Sequence, residues 1–133
     1  MTTITATTTN VAPSTQMRAG LALSAIVGGS QLFFLHPDID WGESDPGVPA
    51  IALGAAIGLV SVVCAILAWN SGSRRLIRIN ATALIVGGLL IVPGLFVDTT
   101  AFIRLSTAAL LVGTVAAVVL LMRRQHVPAP VVD

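Results

Sequence analysis

The fold follows from an uncharged apolar run at residues 50–69, which reads AIALGAAIGLVSVVCAILAW. An α-helix rises about 1.5 Å per residue, so a run of this length reaches about 30 Å, the thickness of the hydrocarbon core of a bilayer. Apolar and small residues lie on every face of the run and do not alternate with polar ones, which favours a helix over a strand of a membrane barrel. We therefore predict a transmembrane helix over this run.

Three further uncharged apolar runs of similar length surround the first, at residues 19–35, 81–97 and 105–122. Each is close to the lower limit of about 17 residues for a membrane span. The whole chain is 55% hydrophobic and only 10% charged, far less charged than a typical soluble domain. The sequence thus predicts an all-α integral membrane protein, an up-down bundle of four transmembrane helices at about 19–35, 50–69, 81–97 and 105–122.

The segments outside the four runs are too short to bury a core of their own. Residues 1–18 are rich in threonine and are predicted to be a disordered tail, because they offer little apolar surface to bury. Residues 19–122 form the predicted four-helix transmembrane domain, and residues 123–133 form a second short tail. Any chemistry must therefore come from the helix bundle or from its connecting loops.

The arginines predict the orientation of the chain in the membrane. One set of flanks carries six of the seven and the other carries Arg104 alone, and the six are Arg18, Arg74, Arg75, Arg78, Arg123 and Arg124. The positive-inside rule places the six in the cytoplasm together with both termini. The chain has no lysine and is rich in Ala, Val and Gly, a usage that suggests a GC-rich bacterial genome. We therefore predict a multi-pass protein of a bacterial plasma membrane.

Two signals near the ends of the last helices predict local structure. Pro93 and Gly94 predict a kink or the end of the third helix, because proline cannot donate the backbone hydrogen bond that continues it. Asp98 is a candidate N-cap for the fourth helix. The basic segment at residues 70–78 is predicted to be a loop on the cytoplasmic surface.

The loop after the first run concentrates acidic side chains. Oxygen-rich clusters suit hard cations such as calcium, so the loop offers weak candidate metal ligands, but the spacing does not match a known calcium loop. A solvated loop on the outer side is the simpler interpretation. No catalytic residue and no cofactor site is predicted, and the lone Cys64 provides neither a disulfide nor a zinc site. The weak candidates are Asp38, Asp40, Glu43 and Asp45.

Small residues four positions apart recur in the runs and predict close helix packing. Such stripes let two backbones approach in a membrane. They leave open whether the partner helix belongs to the same chain or to another. The glycines predicted to pack are Gly28, Gly29, Gly54, Gly58, Gly87 and Gly113.

Gln31 is the largest uncharged polar side chain within the runs, and it predicts either an interhelical hydrogen bond or a contact with a solute. A solute path through the bundle would add hydroxyl groups to this amide. No ionisable residue lies within any run, which argues against an ion-coupled carrier or a proton relay. The candidate hydroxyl groups are those of Ser30, Ser61, Thr82 and Thr114.

These observations predict a small non-enzymatic membrane protein and leave three roles open. The first is an accessory or structural subunit of a larger membrane complex. The second is a self-assembling transporter or channel for a neutral or lipidic solute, and the third is a membrane enzyme that uses the acidic loop. The predicted partners are the lipid bilayer and either another protein or further copies of this chain, without nucleic acid.

Overall fold

The computed structural model describes residues 14–123, and the helices account for most of them. The remainder of the two predicted tails, residues 1–13 and 124–133, lies outside the described residues. Residues 14–123 contain no strand. The elements are α1 (Thr15–Phe33), α2 (Val48–Ser71), α3 (Arg74–Ile91), a 3₁₀ turn (Val92–Leu95) and α4 (Ala101–Met122).

α1 begins four residues before the first apolar run, so residues 15–18 are helical and do not belong to a disordered tail. Ser14 is the N-cap, and its hydroxyl accepts a hydrogen bond of 3.2 Å from the backbone N–H of Met17. Serine at this position satisfies one of the four N–H groups that a helix start leaves without a partner. The cap, and not the onset of hydrophobicity, decides where α1 begins.

α3 begins seven residues before its apolar run, so most of the predicted basic loop is helical. α2 ends at Ser71, and its C-cap Gly72 has a left-handed φ of 63° and an N–H that donates to the carbonyl of Ala68. Only Gly72 and Ser73 separate the two helices. Arginine is a good helix former, and the apolar run marks only the part of a helix without charges.

At the other end of the bundle, the predicted end of the third helix is observed, whereas the predicted N-cap of the fourth helix is wrong. The α-helical part of α3 ends at Ile91, and Pro93 lies in the 3₁₀ turn that follows, as expected for a proline that ends a helix. Thr100, and not Asp98, is the N-cap of α4. Its hydroxyl accepts a hydrogen bond of 3.4 Å from the N–H of Ile103, while Asp98 lies two positions too early to do so.

The four helices form an up-down bundle in which sequence neighbours are also neighbours in space. α1 and α3 each pack against both α2 and α4, whereas α2 and α4 lie diagonally opposite and do not touch. Gly20 lies beside Leu121 and Val27 lies beside Gly113, a register that makes α1 and α4 antiparallel. The acidic loop therefore shares one end of the bundle, here called the acidic end, with the turn between α3 and α4. The other end, here called the basic end, carries Arg74 and Arg75.

Three of the four helices are long and apolar enough to cross a membrane, namely Val48–Ser71, Arg74–Leu95 and Ala101–Met122. α1 is not among them. Its polar side chains, including Gln16, Arg18 and Gln31, lower its mean hydropathy although its length is sufficient. The prediction of an all-helical fold is thus confirmed for the described residues, and three of the helices have the length and apolar composition predicted for a membrane span.

The bundle has an apolar exterior and a partly polar interior. Large side chains such as Leu59, Val112 and Val115 are exposed on its outer surface. Inside, the side-chain amide of Asn80 donates a hydrogen bond of 2.8 Å to the hydroxyl of Ser24, which donates to the carbonyl of Leu21. The polar side chains buried in the interior are Ser24, Gln31, Ser61, Asn80, Thr107 and Thr114.

Candidate functional site

The closest approach of two helices lies at the crossing of α1 and α2, where two glycines face each other. A Cβ atom added to Gly28 would lie 2.7 Å from the carbonyl oxygen of Gly58, and one added to Gly58 would lie 2.5 Å from the carbonyl oxygen of Gly28. Real Cβ atoms do not come this close to a backbone oxygen, so any larger residue would push the helices apart. Because α1 and α2 are in contact at this crossing, the next turn of α1 lies close to both α2 and α3.

Gln31 occupies that next turn, one helical turn beyond Gly28, and its side chain is 6% exposed. Its amide lies between two glycines of neighbouring helices. The Oε1 atom is 3.3 Å from the position that a Cβ on Gly58 would take, and Nε2 is 3.2 Å from the corresponding position on Gly87. Within the described residues, Oε1 has no hydrogen-bond partner. The two glycines thus create the space for a polar amide in the bundle interior.

A cavity of about 390 Å³ extends from Gln31 to the acidic end of the bundle, and it is here called the outer cavity. Its volume falls within the range of about 300–1,000 Å³ that is usual for ligand-binding pockets. All four helices contribute to its walls, which are mostly aliphatic. The wall residues on the helices include Ala50, Ile51, Leu53, Gly54, Leu90, Ile91, Ile103, Thr107 and Leu110.

The loop between α1 and α2 lines the outer cavity at the acidic end. Phe34 and Trp41 both line it, and the centroids of their rings lie 5.6 Å apart. The loop is joined to α4 because the hydroxyl of Thr100 donates a hydrogen bond of 3.2 Å to the carbonyl of Asp40. Gly42, with a φ of 70°, lies against Thr99 and Thr100. An aromatic pair on a tethered loop therefore covers an aliphatic chamber.

The outer cavity is open to the surface of the bundle between α2 and α3. Leu53 and Leu90 line it, and Leu53 is 51% exposed and Leu90 47% exposed. Gly54 also lines it, and no atom lies within 4 Å of the position where its Cβ would stand. One turn deeper, a Cβ on Gly87 would lie 3.2 Å from Ile57, so the two helices are in contact there. The gap between them is confined to the acidic half of the bundle.

No protein-family model matches this chain, and neither a curated protein nor a solved structure matches it.

The acidic side chains do not converge on a metal site. The carboxylate of Asp40 accepts a hydrogen bond of 2.9 Å from the N–H of Gly42, and that of Asp45 accepts one of 2.8 Å from the N–H of Gly47. Asp38 and Glu43 are exposed. Across residues 14–123, no group of three His, Cys, Asp or Glu side chains is placed to hold a metal ion. The two hydrogen-bonded carboxylates shape turns of the loop, and Asp45 also lines the outer cavity.

The six glycines expected to pack fall into two groups. Gly28, Gly58 and Gly87 lie at the helix contacts described above, and a Cβ on Gly113 would lie 2.9 Å from Val27. Gly29 has no such neighbour within 4 Å, and Gly54 faces the outer cavity, as noted. The helices contacted by the first group belong to this chain. The glycines of the first group therefore let helices of this bundle pack closely against one another.

The hydroxyl groups proposed to accompany Gln31 are dispersed. The Ser30 hydroxyl donates to the carbonyl of Val27 in its own helix, and Thr82 is exposed on α3. Ser61 and Thr114 are buried, but neither lines the outer cavity. Gln31 is the one member of the predicted path that does.

Sequence reasoning missed two features of the interior. Trp41 and Thr107 line the outer cavity, although no motif in the sequence distinguishes them. Asn80 immediately precedes the apolar run at residues 81–97, so hydropathy alone does not place it inside a helix. An amide one residue outside a run, on the same helix as the run, is a signal that could have located the Asn80–Ser24 hydrogen bond.

Proposed function

We propose that this protein spans a membrane four times and binds a small neutral or lipidic solute in the outer cavity. The observation that carries the proposal is the chamber of about 390 Å³, aliphatic along its walls and with the single amide of Gln31 at its inner end. Ligand sites are typically mostly apolar with a few polar groups that orient the ligand. A single chain provides all the lining residues of this chamber, so the proposed binding requires no oligomer.

The distribution of polar and apolar side chains supports the membrane part of the proposal. Soluble proteins rarely expose large continuous apolar surfaces, whereas the outside of this bundle is covered with Leu, Ile, Val and Phe side chains. In membrane proteins, polar residues within spans usually face the bundle interior. α1 follows this rule, because Ser24 and Gln31 are buried while Ile26 and Phe33 are exposed. We therefore propose that α1 is the fourth span.

The proposed orientation places the basic end in the cytoplasm of a bacterial cell, together with both termini. Cys64 is buried, so replacing it with alanine gives a background for cysteine labelling. In that background, Glu43→Cys should react with a membrane-impermeant maleimide in intact cells, and Ser71→Cys should react only after the cells are opened. Both positions are exposed at opposite ends of the bundle. The reverse pattern would contradict the orientation, and labelling of both in intact cells would contradict the four spans.

Trp41 provides a direct test of solute binding, because it lines the outer cavity and the sequence contains just two tryptophans. We expect a medium-chain bromoalkane to quench the fluorescence of the Trp69→Phe variant in lipid vesicles. Quenching should saturate at a low mole fraction of probe, since a bound bromine would lie beside the Trp41 ring.

The matched control is Trp41→Phe, which leaves Trp69 near the basic end of the bundle as the reporter. Its quenching should rise only in proportion to the probe dissolved in the bilayer. Identical concentration dependence for the two reporters would show that Trp41 senses bulk lipid, and would contradict a binding site.

The accessory-subunit role stays a prediction, and the structure provides it with less support than the solute-binding role. The small-residue stripes are the surfaces through which a subunit of this kind would pack, although the sequence leaves open whether their partner helices belong to this chain. Four of their six glycines contact helices of the same chain, and Gly54 lines the outer cavity. Gly29 alone remains on a surface that another protein could contact.

A further inference from the structure

We infer that the solute is a neutral aliphatic alcohol, whose hydroxyl group binds the amide of Gln31 while its chain fills the outer cavity. This inference rests on the proposed function and specifies the class of solute. Its first support is that Gln31 is more than nine-tenths buried, lines the cavity and has an amide oxygen without a hydrogen-bond partner in the described residues. A buried polar atom of this kind is costly to leave unpaired, so a ligand that pairs with the amide gains affinity.

The chemistry of an amide favours a hydroxyl group as its partner. The side chain of glutamine offers a carbonyl oxygen that accepts and an NH₂ group that donates. A hydroxyl group can donate to the oxygen or accept from the nitrogen, so it binds whichever of the two the cavity presents. Thr107 also lines the cavity, but its hydroxyl already donates to the carbonyl of Ile103 over 2.8 Å. Thr99 also lines the cavity and has a buried hydroxyl oxygen without a partner in the described residues, so Gln31 is the unpaired polar group at the inner end of the cavity.

The charges around the cavity disfavour an anionic head group. The described residues that line it include no Arg, Lys or His, whereas Asp45 lies at its rim. The exposed acids Asp38 and Glu43 belong to the same loop. Arg104 lies in the first turn of α4, near this end of the bundle, and its guanidinium donates a hydrogen bond of 3.3 Å to the backbone carbonyl of Val97. A fatty acid or an anionic phospholipid would bring a negative charge into a cavity without a cationic side chain to pair with it, while an uncharged alcohol would not.

The test compares three probes of equal chain length, a bromoalkane, an ω-bromo alcohol and its permanently charged sulfate ester. Binding is measured by saturable quenching of Trp41 in Trp69→Phe protein in vesicles, with each dissociation constant expressed as a mole fraction in the bilayer. One hydrogen bond in a membrane interior corresponds to roughly a 3- to 30-fold difference in affinity. We expect the alcohol to bind tighter than the bromoalkane by that factor, and the sulfate ester to bind more weakly than the alcohol.

The variant Gln31→Met tests the residue, because methionine keeps the length of the side chain without its amide. The ratio of alcohol to bromoalkane affinity should fall to about one in this variant. The neighbouring Ser30→Ala should retain the ratio, since Ser30 bonds within its own helix and does not line the cavity. Folding of each variant is checked by size-exclusion profile and helical circular dichroism.

The outcomes separate this inference from the proposed function. Saturable binding of all three probes with equal affinity would leave the cavity as a solute site and overturn the alcohol. An unchanged ratio in Gln31→Met would also overturn the role of the amide. Absence of saturable quenching by every probe would overturn the proposed function together with the inference.

Discussion

Replacing Gly58 with alanine should destabilise the bundle by about 1–3 kcal/mol, the usual cost of overpacking a well-packed interior. The new Cβ would lie 2.5 Å from the carbonyl oxygen of Gly28 and 2.9 Å from the Cβ of Gln31. A backbone oxygen cannot move aside as the end of a flexible side chain can, so α1 and α2 would have to separate. Unfolding in mixed micelles of mild detergent and dodecyl sulfate, followed by far-ultraviolet circular dichroism, measures the loss.

Gly54→Ala is the matched control, since Gly54 lies one turn from Gly58 on the same helix and has no neighbour within 4 Å of its Cβ position. Alanine favours a helix over glycine by up to about 1 kcal/mol, so this variant should be as stable as the native protein or slightly more stable. Gly28→Ala should behave like Gly58→Ala, because its Cβ meets the other side of the same crossing. Equal stability of the Gly58 and Gly54 variants would show that the crossing is looser than described.

Filling the outer cavity from within should abolish solute binding without disturbing the bundle. Gly54→Phe places an aromatic ring in the chamber at a position where the added Cβ touches nothing. We expect the affinity for the bromoalkane, measured by quenching of Trp41, to fall at least tenfold, which corresponds to about 1.4 kcal/mol. The loss follows because the ring occupies volume that the ligand chain requires.

Gly29→Phe is the control for this experiment. Gly29 also lies within a helix and also has open space at its Cβ position, but it does not line the outer cavity. The two variants therefore add the same side chain to the same type of backbone site, and only one of them should lose binding. Equal binding by both variants would exclude the outer cavity as the site of quenching.

The helices were predictable because each contains a long uncharged apolar run, and a backbone in lipid must satisfy its hydrogen bonds within the segment. Their ends were less predictable. Ser14 and Thr100 start α1 and α4 through their hydroxyl groups, and Gly72 ends α2 with a left-handed conformation. These are local geometric events at single residues, whereas hydropathy averages over a whole run.

One residue of the candidate site, Gln31, could be predicted from the sequence, but the arrangement of the residues around it could not. Gln31 is conspicuous in the sequence because an amide inside an apolar run is costly. Nothing in the sequence distinguishes Gly54 from Gly58, since both belong to the same small-residue stripe. Their surroundings differ completely, because Gly58 meets the backbone of α1 and Gly54 faces a chamber. That difference depends on the angle between two helices.

The sequence by itself determined the helical class, the apolar character of three long helices and the separation of acidic from basic ends. These properties follow from composition along the chain, which needs no knowledge of which helices touch. Tertiary structure alone decided that Gly28 meets Gly58, that the amide of Gln31 is buried between two glycines, and that an aliphatic chamber lies beyond it. Which faces of apolar helices meet depends on the detailed fit of their side chains, because an apolar run offers several faces of similar hydrophobicity and does not select among them.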